Sequence, residues 1–172
     1  SEFFHDRYKN FMKEKEIRND IIESVSLNYN IDNILKIYKK TLILNKFISK
    51  EIGKDLMFSY KRASNIIFNE LKNNKIELTG SADPGLFKNE FEKILYKKIH
   101  EIRKDFTNIG KDNDYEGIFK TLSLAKKEVN EFFDNVIVND QDELIKKNRL
   151  ELLQMLCKTF DNYLNFSKVE SF

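Results

Sequence analysis

Apolar residues recur along this chain every three or four positions and almost never every second one, which is the spacing of helices that each bury one face. Phe4, Tyr8, Phe11 and Met12 open the pattern, and Ile21, Ile22 and Val25 mark a short second helix after Asp20. A third helix is predicted over about 31–48, where Ile34, Leu35, Ile37, Tyr38, Leu42 and Phe47 supply apolar faces. The fourth, about 51–71, carries Leu56, Tyr60, Ala63, Ile67 and Leu71 on one stripe. The longest loop is "NNKIELTGSADPG", in which Asp83 and Pro84 read as an N-cap followed by proline at the first helical position. A fifth helix then runs to about 106, with Phe91, Leu95, Ile99, Ile102 and Phe106 inward. After the break "GKDNDYEG" come a sixth helix over about 115–135 and a last one over about 142–166, capped by Asp142. Five glycines and one proline leave few breaks, and there is no repeat, low-complexity tract or internal linker. The expected fold is all-α: a single domain over 1–172, folded as a bundle of about seven helices.

Composition narrows this picture. With 172 residues, 41% hydrophobic and 34% charged, the chain is long enough to bury a core and too apolar to be disordered. No apolar run approaches the roughly 20 residues of a membrane helix, and no signal peptide is visible. One cysteine, Cys157, excludes an internal disulfide, fits a reducing cytoplasm, and among leucines reads as a small core hydrophobe. The net charge of +2 means that affinity for nucleic acid has to come from local patches. A start at Ser1 without methionine suggests a piece of a longer protein, although removal of the methionine leaves the same mark.

Catalytic chemistry finds little support. Metal and acid–base sites need clustered His, Cys, Asp or Glu, and the two histidines, His5 and His100, lie far apart. The pair His5 and Asp6 lacks the further histidines of a phosphohydrolase site, and Gly80, Gly85, Gly110 and Gly117 lack the spacing of a phosphate loop. Binding chemistry is better represented. On the fourth helix Phe58, Arg62, Asn65 and Asn69 follow steps of four, three and four, a face separate from the apolar stripe. An aromatic ring, a guanidinium and two amides suit unpaired RNA, whose bases stack on planar groups and whose edges both donate and accept. The plain alternative is that Phe58 packs on a neighbouring helix and Arg62 pairs with a carboxylate. On the fifth helix Lys93, Lys97, His100 and Lys104 repeat the same steps, and with Lys98 and Arg103 they make a basic row that either tracks a phosphate backbone or is simply solvated. In "NRLELLQML", Arg149 falls in line with Ile145, Leu152, Leu153, Leu156, Phe160, Tyr163 and Leu164. A cation there is either paired internally or lies where the seam opens to a ligand.

Taken in order, "FFHDRYKNFM", "RNDIIESV", "YKRASNI", "DPGLF", "EFFDNVIVN" and "NRLELLQML" resemble the C-terminal region of the bacterial glycyl-tRNA synthetase beta subunit, over essentially the whole chain. That region is similar to the helical anticodon-binding domain named after an Asp-Ala-Leu-Arg tetrad. The tetrad is absent here, and the family's Asp-Ile-Ser near its end appears as Asn165, Phe166 and Ser167. The resemblance implies a module without a catalytic site or cofactor of its own, gripping the anticodon arm of glycine tRNA, whose anticodon carries two cytosines. It implies a cytoplasmic assembly of two alpha and two beta subunits, in which the alpha subunit activates glycine with ATP and Mg²⁺. The positions it carries over are Lys61, Arg62 and Asn65 of "YKRASNI" and Asn148 and Arg149 of "NRL". Arg7 of "HDR" is either a further contact or a structural ion pair. Lys97 and Lys104 are added from the spacing of the basic row. The rival reading is a helical protein-interaction module that docks another subunit without reading RNA.

Overall fold

The three-to-four spacing resolves into eight α-helices among the residues described by this computed structural model, which are 2–25, 34–74, 76–109, 114–162 and 165–169. They are α1 (Glu2–Glu14), α2 (Asn19–Val25), α3 (Ile34–Ile48), α4 (Glu51–Asn74), α5 (Glu90–Ile109), α6 (Tyr115–Ser123), α7 (Lys126–Asn135) and α8 (Glu143–Asp161). The all-α expectation holds. The count rises by one because the helix expected over 115–135 is divided at Leu124 and Ala125. There the N–H groups of Leu124 and Ala125 donate to Thr121 and Leu122, three residues back, which tightens the turn and redirects the chain. No glycine or proline marks that break. The expected start of the third helix at 31–33, the break at 110–113, and Tyr163 and Leu164 lie outside the described residues, as do the side chains of Phe4, Ile34 and Leu35. Leu71, expected on the inward stripe of α4, is exposed.

Four helices form the central bundle. Tyr60 of α4 meets Asp161 of α8, and Glu70 meets Lys146, so these two run antiparallel. Glu92 and Arg103 of α5 reach Arg149 and Thr159 of α8, which makes that pair parallel. α7 lies along α4 through Asp55 with Lys126 and Ser59 with Asn130, and antiparallel to α5 through Lys98 with Glu128. α7 and α8 therefore both touch α4 and α5 and lie between them. Because it has neighbours on so many sides, α8 buries thirteen of its residues, polar ones included. Tyr60, Phe160 and Phe166 close the lower core, with ring centroids 5.5–5.7 Å apart. Cys157 is part of this core, and burial pushes its thiol up to about 12, so it stays protonated and inert at neutral pH.

The termini of the helices follow their local chemistry. Asp142 caps α8, accepting from Leu144 N at 2.9 Å. Asp83 also caps, accepting from Gly85 N at 2.8 Å, but Pro84 opens only the 3₁₀ turn Pro84–Leu86. The fifth helix starts six residues later than its proline suggested. Asn89 caps it through Phe91 N at 2.9 Å, and Glu92 reaches back to Asn89 N at 2.6 Å, so "NEFE" is the capping box. The α3–α4 corner is tight enough that a Cβ on Gly53 would run into the backbone carbonyl of Phe47.

α1 ends in a Schellman arrangement: Ile17 N donates to Met12 O and Glu16 N to Lys13 O, with Glu16 at φ 58°. A residue with a Cβ is strained in that left-handed region, by about 1–2 kcal/mol. Glu16→Gly is therefore expected to raise the unfolding free energy by about 1 kcal/mol, after the larger freedom of glycine in the unfolded chain is subtracted. A urea midpoint that stays put or falls would contradict this.

Candidate nucleic-acid interface

The outer face of α4 is built by the same periodicity that builds the core. Phe58, Arg62, Asn65, Phe68, Asn69 and Lys72 are all exposed, and steps of three and four keep them on one side of the helix. Phe58 is 69% and Phe68 63% exposed, so neither ring is packed against a neighbour. Arg62 does not lie loose on this face. Its Cζ sits 4.3 Å from the centroid of the Phe133 ring, which is itself buried at the end of α7. A ring beneath a guanidinium fixes its plane and leaves its N–H donors pointing outward along that plane.

The other arginines show how unusual that is. Arg18 holds Asp20 at 3.0 and 2.6 Å, and Arg103 turns inward to Thr159 Oγ1 and Met155 O at 2.8 and 2.9 Å. Arg149 is held at three points. Among the described residues, only Arg62 and Arg7 pair with a ring and with no carboxylate, Arg7 lying 4.7 Å from the Phe3 centroid. The carboxylate partner considered for Arg62, and the ion pair considered for Arg7, are absent among the described residues.

The remaining sequence candidates separate into three groups. Asn65 stands beside Arg62 on the open face, and Lys61 lies at its edge, half-buried, with Nζ donating to Ser167 O at 3.1 Å. That contact ties α4 to the 3₁₀ turn Phe166–Lys168 and places a cation beside Arg62 with one donor already engaged. Beneath them the Tyr60 hydroxyl donates to Asp161 at 2.9 Å. Burial raises the Asp161 carboxyl, and both burial and Asp161 raise the Tyr60 hydroxyl, so Tyr60 remains a donor at neutral pH.

Asn148 and Arg149, by contrast, face inward, and the expectation that they reach RNA is corrected. The Asn148 amide accepts from Asp83 N at 2.7 Å and donates to Asp83 O at 3.0 Å, holding the loop before α5. Arg149, 6% exposed, donates to Glu92 Oε1 at 2.9 Å, Asp140 Oδ2 at 2.6 Å and Ile137 O at 2.8 Å. Of the two readings open for Arg149, the paired one describes the structure.

The basic row of α5 forms a third group. Lys93, Lys97 and Lys104 are exposed, but Lys97 has Glu101 at 3.9 Å, Lys98 sits between Glu101 and Glu128, and Arg103 points into the bundle. The row is less basic than its sequence, and α7 and α8 separate it from the α4 face. Three residues of that face and its support escaped the sequence reading, among them Lys72, one step of three beyond Asn69. Phe68 was in reach, one more step of three beyond Asn65. Phe133 was not, since nothing in the sequence connects it with a residue 71 positions earlier.

Most of the chain has counterparts in known proteins. The family model described as the DALR anticodon binding domain matches residues 56–171, which takes in most of α4 and every helix after it. Glycine–tRNA ligase beta subunits of Rickettsia prowazekii (strain Madrid E) and Rickettsia typhi (strain ATCC VR-144 / Wilmington) are each 35% identical to this chain over 168 residues, and that of Rickettsia peacockii (strain Rustic) is 34% identical. The aligned stretch covers 97% of this chain and 24% of each relative, so the chain spans about a quarter of the length of the proteins it matches. With two thirds of its length under that one model and every described helix in an all-α bundle, the chain belongs to the DALR anticodon-binding domain family.

Proposed function

We propose that this chain is the tRNA-binding module of a glycine–tRNA ligase beta subunit and grips the anticodon arm of glycine tRNA through the outer face of α4. The observation that carries the reading is Arg62, held over Phe133 with no carboxylate among the described residues to neutralise it, between two exposed phenylalanines and two exposed asparagines. Cytosine presents O2 and N3 as acceptors and N4 as a donor. Arg62 donates along its plane, Asn65 both donates and accepts, and Phe58 and Phe68 offer faces on which splayed bases stack. Lys61 supplies a cation at the rim.

In this reading glycine activation with ATP and Mg²⁺ belongs to an alpha subunit, in a cytoplasmic heterotetramer of two alpha and two beta subunits. Among the described residues, no three His, Cys, Asp or Glu stand close enough together to hold a metal ion. Nor is any described helix long and apolar enough to cross a membrane. Lys97 and Lys104 take no part in base reading here, because they lie across the bundle from Arg62. A second reading, docking of another subunit, has its own observation in Ile137 and Leu144, 77% and 66% exposed, which RNA recognition does not require.

The test is binding of glycine tRNA against a tRNA with a substituted anticodon. Arg62→Ala is expected to weaken cognate binding about tenfold and to erase most of the difference between the two tRNAs, since a good base contact is worth about 1–3 kcal/mol of discrimination. Thermal stability should stay within about 0.5 kcal/mol, because the side chain is exposed. Undiminished discrimination in the variant would end the assignment.

A further inference from the structure

The face on α4 has a counterpart that the family match does not reach. Phe58, Arg62 and Asn65 are spaced four and then three apart, and Phe3, Arg7 and Asn10 on α1 repeat those residue types at those steps. All six are exposed. Arg7, like Arg62, has its guanidinium over a phenyl ring and no carboxylate partner among the described residues. One turn further along α1 the arrangement recurs. Phe11 is 45% exposed, with Lys15 Nζ 5.6 Å from its centroid, and its ring lies 6.0 Å from Tyr38 of α3. The outer side of α1 thus alternates ring, cation, ring, cation at steps of four. Of the exposed carboxylates on this helix, Glu14 stands at the far end of that side and Asp6 at its rim.

Solvated helix faces are normally covered by charged residues of both signs, and single exposed phenylalanines on them are ordinary. Rings that recur on one side, each beside a cation, make a patch with its own chemistry. A protein partner of ordinary acidic character would complement Arg7 and Lys15, but it would make no use of the exposed ring beside each cation. Nucleobases meet both features at once: they stack on rings and on guanidinium planes, and the phosphates between them meet the cations. We propose that the outer stripe of α1, formed by Phe3, Arg7, Asn10 and Phe11, is a second RNA-contact site. It would take unpaired nucleotides by stacking, without regard to base identity. The inference rests on the RNA reading of α4. It extends that reading to a part of the chain outside residues 56–171, and assigns it affinity rather than base choice.

The chain contains no tryptophan, which makes the test direct. Phe3→Trp and, separately, Phe58→Trp each place a single fluorophore in one of the two stripes, and glycine tRNA is titrated into each. A base stacking on the indole quenches it, and the expected result is saturable quenching in both proteins. Quenching at position 58 alone overturns the α1 site and leaves the proposed function standing. Quenching at position 3 alone supports the α1 site and removes the α4 face from the reading, and quenching at neither overturns both. In parallel, Arg7→Ala and Phe11→Ala should each weaken binding of cognate and anticodon-substituted tRNA alike, by about tenfold, with their ratio unchanged. Unchanged affinity in both variants, alongside lost discrimination in Arg62→Ala, would refute the α1 site on its own.

Discussion

Arg149→Ala is expected to lower the unfolding free energy by about 3–5 kcal/mol, the cost of breaking a buried ion pair from one side. Glu92 is 0% exposed, and its two oxygens have separate duties. Oε2 accepts from Lys88 N and Asn89 N at 2.8 and 2.6 Å and starts α5, while Oε1 accepts only from Arg149 among the described residues. Without the guanidinium a carboxylate remains in the core with half of its charge compensation gone. The same arginine holds the α7–α8 connection through Ile137 O and Asp140, so three segments loosen together. Asp140 gives an independent readout. The backbone N–H of Asp142 and then Arg149 hold its carboxyl below the usual range. A carboxyl lowered in the folded state contributes stability above its unfolded pKa and loses it as the pH falls. Arg149→Ala should bring Asp140 back towards its ordinary value and flatten that part of the acid-side loss. Urea unfolding of the variant beside Arg62→Ala is the measurement. A loss below about 1 kcal/mol at position 149 would mean that the cluster is not holding the bundle as described.

This contrast between two arginines marks where the sequence was readable. On α4 the polar face was legible because the helix has neighbours on one side and solvent on the other, so apolar and polar residues separate at the helical period. On α8 that rule fails. The helix is covered by α4, α5, the loop before α5 and the 3₁₀ turn Phe166–Lys168, so Lys146, Asn148, Arg149, Glu151 and Thr159 are buried as thoroughly as the leucines. Polarity on such a helix says that partners exist, not where they are. The partner of Arg149 is 57 residues earlier in the chain, and the partner of Asn148 is 65. One signal was available and was outcompeted. "NEFE" is a capping box, yet Asp83 and Pro84 six residues upstream carry the more conspicuous start signal, and they cap only a single 3₁₀ turn. Had Glu92 been recognised as a cap, its second oxygen would have called for a buried cation. The split of α6 from α7 left no trace at all, because Leu124 and Ala125 are ordinary helix formers and the turn there comes from packing.

The second large effect is expected at Glu151, a buried residue in the middle of α8. Its carboxylate gathers the loop that crosses α8: Thr79 N and Oγ1 donate to Oε1 at 2.8 and 3.2 Å, and Gly80 N and Ser81 N donate to Oε2 at 2.5 and 3.1 Å. Successive N–H groups converge on one anion because Gly80 sits at φ 80°, a conformation that a side chain would resist and where a Cβ would also meet Lys158. Hydrogen bonds to a charged acceptor are worth about 1.5–3 kcal/mol each, but the loop can turn some of these donors to water. Glu151→Ala should therefore cost about 3 kcal/mol in total. Glu151→Gln keeps the volume but presents an amide N–H₂ to one pair of donors, and should recover less than half of that loss. The two variants separate charge from packing, and amide exchange locates the effect. Gly80 and Ser81 should lose protection well before the core of α8 does. Uniform loss across the bundle would show that Glu151 matters for packing alone. Equal stability of the glutamine variant and the parent would show that the loop is held by the contacts of Asn148 and Met155 instead.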